Sequence, residues 1–138
     1  QNHHYQVRGQ MIKGIGIDMV KIDRLRAWIT DPKLCARFFH PRELTLFRGK
    51  KPRNIVSLAA RFAAKEAFGK ALGTGLKGFS LKEIAVVNDE YGRPHMHLHG
   101  KAAAAFKSIG GGTIFISLNH EVDYALAMVI IEGGKDAG

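Results

Sequence analysis

The chain has 138 residues, 46 % of them hydrophobic and 24 % charged. That is the size and balance of one globular domain, and it argues against wholesale disorder. The longest apolar run, Ala125 to Ile131, falls far short of the ~20 residues a transmembrane helix needs. The net charge is +9, and residues 21–70 hold the whole excess: thirteen Lys/Arg against four Asp/Glu, with eight of each elsewhere. Such a segment attracts acidic partners: nucleic acid, anionic membrane, an acidic protein or a phosphorylated small molecule. It is equally what a soluble basic face without a partner looks like. Cys35 is the only cysteine, so an intrachain disulfide is impossible and a reduced, cytoplasmic setting is the simplest reading.

Residues 1–10 carry no apolar period and precede Met11. They read as an expression-tag remnant, with Met11 as the natural start and 11–138 as the domain. No long apolar stretch follows Met11, so no signal peptide is expected. Ile12 to Val20 predicts a strand with Ile15 and Ile17 on one face and Gly14, Gly16 and Asp18 on the other. Two glycines on one face let another element or a ligand approach closely. Ile22 to Ile29 has helical spacing, punctuated by Asp31-Pro32. Residues 34–48 predict a second helical stretch, interrupted near His40-Pro41. Asn54 to Leu72 is the strongest helix signal, with Asn54 or Ser57 as cap and Gly73-Thr74-Gly75 as stop. Its stripe of Ala59, Ala63, Glu66 and Lys70 permits close packing against the glycine-faced strand. If the two meet, Asp18 and Glu66 come together.

The remainder is richer in strands. Ile84 to Asn88 and His95 to His99 predict a hairpin around Asp89 to Pro94. Gly100 to Ile109 is an alanine-rich helix, and Thr113 to Leu118 and Tyr124 to Ile131 are apolar strands. Gly133 to Gly138 is expected to fray. The class is α+β.

Four constellations could carry chemistry. Asp18 and Glu66 could hold a divalent cation, since magnesium is typically bound by one or two carboxylates plus phosphates and water. Lys70, one turn beyond Glu66, could meet a phosphate oxygen. The same residues also read as a surface Glu–Lys helix pair with Asp18 starting the next element. Gly73-Thr74-Gly75 is either an anion-binding nest or an ordinary helix stop. His95, His97 and His99 lie in a straight row whose outer members are ~13 Å apart, too far to share one ion, so a solvent-facing strand is expected. His120 follows Ser117-Leu118-Asn119 at a strand end, without a nucleophile elbow or a third triad member.

Two stretches together carry a specific resemblance. Gly14-Ile15-Gly16-Ile17-Asp18 with Arg24, and Arg61-Phe62-Ala63-Ala64-Lys65-Glu66-Ala67 continuing through Lys70 to Gly73-Thr74-Gly75, resemble the two signatures of the short bacterial 4′-phosphopantetheinyl transferases, the holo-acyl-carrier-protein synthase type. The likeness runs from about Met11 to Glu132, supported by Phe39 with Glu43. The chain departs from the family at His40, where Thr is common, and at Asn119, where a small hydroxyl residue is common.

The resemblance implies a small, mostly antiparallel sheet packed against a long helix. It implies transfer of 4′-phosphopantetheine from coenzyme A to a serine of apo-acyl carrier protein, releasing adenosine 3′,5′-bisphosphate, in fatty acid biosynthesis. Asp18 and Glu66 match the metal-binding carboxylates, with Mg2+ (Mn2+ also possible) as the ion. Glu66 and Lys70 take catalytic roles. Lys70, Gly73, Thr74, Gly75 and His120 fall where coenzyme A is held. Arg24, Arg26 and Trp28, on the stretch that resembles a docking helix, and Arg37 would face the acidic carrier protein. The resemblance also implies a homotrimer with sites at subunit interfaces, and neither nucleic acid nor membrane as a partner. The competing reading is a basic nucleic-acid-binding module without catalysis. It explains the charge but leaves Asp18 and Glu66 without a purpose, and the basic segment has no recognisable helix-turn-helix or aromatic platform.

Overall fold

The computed structural model describes residues 11–47 and 52–134. The tag-like residues 1–10, the end of the second helical stretch at residue 48, and residues 135–138 lie outside the described residues. Three strands, β1 (Ile12–Lys21), β4 (Gly111–His120) and β5 (Tyr124–Gly133), form an antiparallel sheet in the order β1-β5-β4. β2 (Ile84–Asn88) and β3 (Pro94–Leu98) form a separate hairpin. The helices are α1 (Pro32–Phe38), α2 (Pro41–Leu44), α3 (Pro52–Leu72) and α4 (Gly100–Ser108). The architecture is α+β, a small antiparallel sheet against one long helix.

The contact between β1 and α3 is made by backbone. A Cβ placed on Gly16 would lie 1.9 Å from the carbonyl oxygen of Ala67, and one on Gly14 would lie 1.8 Å from that of Ala71. The glycine face of the strand therefore meets alanines one residue round the helix from the expected stripe. Strand alternation then fixes the faces. Gly14, Gly16, Asp18 and Val20 look toward α3, while Ile15, Ile17 and Met19 look away and stay more than half exposed. Phe39, Leu58, Phe68, Ile84, Val86, Val129 and Ile131 fill the core.

Residues 22–30 differ from the expected helix. They form two short 3₁₀ turns, Ile22–Leu25 and Trp28–Thr30. The Ile22 amide donates to the Asp123 carbonyl at 2.8 Å, which ties the start of the segment to the β4–β5 turn. Lys21 offers no side-chain cap there, so the N-terminal capping that supports a longer α-helix is missing.

The substitution at His40 has a local explanation. His40 Nδ1 accepts from the Arg42 amide at 3.0 Å, and Glu43 Oε1 accepts from the His40 amide at 2.9 Å. This is a capping box in which an imidazole nitrogen does what a threonine hydroxyl would do. Neither Asn54 nor Ser57 caps α3, because the helix begins earlier, at Pro52.

Candidate active site

The close approach of β1 and α3 delivers Asp18 and Glu66 to one place. Lys70 Nζ donates to Asp18 Oδ1 at 3.0 Å and to the Ile17 carbonyl at 3.1 Å, reaching from the helix to the strand. The Asp18 side chain is only 16 % exposed, whereas that of Lys70 is 56 % exposed. The Glu66 carboxyl is held above the ordinary glutamate value, first by burial and then by the neighbouring Asp18 charge. Arg24 and Lys70 pull it the other way. Four charged groups from β1, the first 3₁₀ turn and α3 thus act on one another. The Lys70 pair reaches across to the strand and is not the intrahelical Glu–Lys pair that spacing alone allowed.

These residues suit a hard divalent cation. The donors are two carboxylates, one under electrostatic pressure from the other, and a cation between them relieves that pressure. Among the described residues no third His, Cys, Asp or Glu gathers with them. An ion here would complete its shell with phosphate oxygens and water, as magnesium does.

The other expected site residues divide into near and far. The amides of Gly73 and Gly75 donate to the carbonyls of Lys70 and Gly69, both at 3.0 Å. Two of the three amides of this turn therefore finish the helix, and the turn offers close approach more than a nest of donors. His120 lies elsewhere. It lines an open groove of about 580 Å³ with Arg61, Asn88, Gly92, Ser117 and Asn119, and none of Asp18, Glu66 or Lys70 belongs to that lining. Asp18 and His120 sit on the two edge strands with β5 between them, so their strands lie two spacings, about 10 Å, apart, and His120 lies two residues further along than the position level with Asp18.

The expected docking residues form an aromatic and cationic surface. Trp28 stacks on Phe38 at 4.8 Å and meets the edge of Phe62 at 5.1 Å. Arg24 lies 5.7 Å over the Phe62 ring and Arg37 lies 5.3 Å over Phe38. Arg26 is tied to Asp23 by a 2.7 Å ion pair, which offsets part of its charge. The basic excess is also not all at the surface, for Arg61 and Lys65 are buried. The three histidines of β3 and its end are solvent-facing, as expected. His95 pairs with Asp89 at 2.8 Å, and His99 stacks on His40.

Residues 14–129 match the family model of the 4′-phosphopantetheinyl transferase superfamily. The chain belongs to this superfamily. A holo-[acyl-carrier-protein] synthase of Treponema denticola is 55 % identical over 123 residues, covering 89 % of this chain and all of that relative. Its counterpart in Treponema pallidum is 47 % identical, covering 89 % of this chain and 98 % of that relative. The fold superposes on a Plasmodium yoelii acyl carrier protein synthase with ADP bound, with TM-score 0.80 and 30 % identity over 91 % of this chain and 98 % of that one. The phosphopantetheinyl transferase fold thus accounts for nearly all of the described chain.

Sequence reasoning gave no role to the Lys65–Glu43 pair, whose Nζ and Oε1 lie 2.6 Å apart with both side chains fully buried. Two signals were present: a lysine inside an alanine-rich buried stripe, and a glutamate three residues after a helix cap. It also passed over Arg61, whose Nε donates to the Val86 carbonyl at 3.0 Å and which hydrogen-bonds Ser57.

Proposed function

We propose that Asp18, Glu66 and Lys70 of this phosphopantetheinyl transferase move the 4′-phosphopantetheine arm of coenzyme A to a serine of apo-acyl carrier protein. The supporting observation is the Asp18–Lys70 contact beside a glutamate whose proton affinity is raised. Glu66, directly or through a water, accepts the serine proton. The serine oxygen bonds to phosphorus as the bond to the bridging pyrophosphate oxygen breaks, and adenosine 3′,5′-bisphosphate leaves. Lys70, more than half exposed and held on β1 by Asp18 and the Ile17 carbonyl, is placed to turn toward the charge that builds on the phosphate. Asp18 and Glu66 would hold Mg2+, or Mn2+, which supplies charge neutralisation on the pyrophosphate when bound.

Transfer of a label carried in the pantetheine arm of coenzyme A onto apo-acyl carrier protein tests the reading. Activity should vanish in EDTA and return with Mg2+ or Mn2+. Undiminished transfer in a metal-free assay would reject the carboxylate assignment.

His120 and the Gly73–Gly75 turn hold the nucleotide in this reading, His120 from its groove and the turn through its small backbone. Trp28, Arg24, Arg26 and Arg37 receive the acidic carrier protein. Arg37 gives the cleaner test, because Arg24 also acts on Glu66. Arg37→Glu should raise the KM for carrier protein by about tenfold and slow association, with the KM for coenzyme A unchanged. Rising salt should blunt the difference, since exposed charges are screened over ~8 Å at physiological ionic strength. Equal effects on both substrates would count against the docking surface.

The apolar outer face of the sheet supports a homotrimer with sites between subunits. Ile15, Ile17, Met19, Phe115 and Met128 are 41–59 % exposed and register with one another across neighbouring strands, a contiguous apolar face of the kind that marks an interaction site. The domain spans residues 11–138 in this reading, and the product serves fatty acid biosynthesis in the cytoplasm. Among the described residues no helix is long and apolar enough to cross a membrane.

A further inference from the structure

We propose that the buried Lys65–Glu43 pair is a positioning couple that sets the carrier-protein docking surface at its working distance from the catalytic carboxylates. The inference rests on the function proposed above.

Lys65 Nζ is a single point that ties α3 to two other chain segments. Its three N–H groups are shared among four oxygens, the carbonyls of Phe38 at 3.0 Å, Leu81 at 3.0 Å and Ile84 at 2.7 Å, and Glu43 Oε1 at 2.6 Å. It also lies 4.8 Å from the centre of the Phe39 ring. Glu43 extends the tie, accepting from the His40 amide with Oε1 and from the Val86 amide with Oε2 at 3.0 Å. Every ligand of the ammonium thus comes from the segment 38–43 or from the approach to β2.

The placement gives the pair its consequence. Lys65 precedes Glu66 on α3, so drawing Lys65 into the core turns Glu66 toward Asp18. At the other end, the Phe38 carbonyl belongs to the residue whose ring supports Trp28 and Arg37. One ammonium therefore links the helix that carries the base to the aromatic surface proposed to hold the protein substrate. Packing alone does not call for such a pair. Well-packed apolar residues often serve a core as well as a buried ion pair or better. What the ion pair adds is direction, because the hydrogen bonds fix five backbone groups around it.

The test uses Glu43→Asp and Glu43→Gln in the full chain. Aspartate keeps the charge opposite Lys65 but is one methylene too short to reach both Lys65 and Val86. Glutamine keeps the length but turns an NH₂ group toward the Val86 or Lys65 donor. The readouts are kcat and separate KM values for carrier protein and coenzyme A, thermal unfolding, and emission from Trp28, the only tryptophan in the chain. A displaced docking surface weakens association with the protein substrate, so we expect the carrier-protein KM to rise by about tenfold in at least one variant. The coenzyme A KM should stay within about twofold, and Trp28 emission should shift while the protein remains folded. A merely structural pair would lower the unfolding temperature and the active fraction and leave both KM values alone. That outcome, an equal rise in both KM values, or failure of both variants to fold would overturn the proposal. An inactive wild-type chain would instead defeat the proposed function itself.

Discussion

Glu66→Gln should lower turnover by roughly 10²-fold or more while the protein stays folded. Glutamine fills the same space but gives up both the charge proposed to hold a cation and the basic oxygen proposed to take the proton. The metal-free protein should show the other side of the same substitution. The Glu66 carboxyl is raised in the folded state by burial and by Asp18. Such a group stabilises the fold below its unfolded value, about 4.5, and that contribution is lost as pH rises through the folded value. In EDTA, wild-type protein should therefore gain stability on acidification through the window just above 4.5, and Glu66→Gln should lack that gain. Its unfolding temperature at neutral pH should equal or exceed that of the wild type. Near-normal turnover in Glu66→Gln would remove Glu66 from the mechanism. A marked drop in its stability would show that the carboxylate supports the fold instead.

Gly16→Ala is expected to destabilise the fold strongly, as Gly14→Ala should beside it, because both glycines sit against helix backbone. The new carbon would meet the Ala67 carbonyl oxygen at 1.9 Å and the Ala71 nitrogen at 2.8 Å, both backbone atoms of a buried helix. No rotamer relieves such a clash, so strand and helix must separate. Overpacking usually costs ~1–3 kcal/mol where side chains yield, and a backbone clash belongs at or beyond the upper end. For a domain of this size about 3 kcal/mol lowers the unfolding temperature by about 10 °C. Asp18 lies two residues along the same strand face, so any variant that folds should also lose activity. Thermal unfolding followed by circular dichroism measures the effect. A melting temperature within about 2 °C of wild type would mean that the two backbones do not touch as described.

Much of the site was legible because its placement is local and periodic. Alternating glycines before Asp18 and alanines before Glu66 announce surfaces without side chains, and two such surfaces meet at backbone distance. The carboxylates that follow then have to converge. The rest needed topology. The C-terminal strand β5 inserts between β1 and β4. Nothing in the sequence near His120 says that it ends on the edge opposite Asp18. The segment 22–30 starts on a hydrogen bond to the Asp123 carbonyl, far along the chain, which no local pattern announces. Charge counting saw Lys65 and Glu43 as one cation and one anion in a basic segment. Only three-dimensional packing reveals that they cancel each other inside the core.

The distance between the two edges of the sheet changes what one damaged molecule means. Asp18 and Glu66 stand at the β1 edge of a chain, and the His120 groove opens at the β4 edge. In the trimer proposed above, each site between subunits borrows one edge from each of two neighbours. A chain with a defective β1 edge still lends a sound β4 edge to the next copy, and a chain with a defective groove still lends its carboxylates. In a cell that makes both intact and damaged chains, loss is shared out by sites and not by molecules. A single faulty copy is then neither wholly dead nor harmless to its companions.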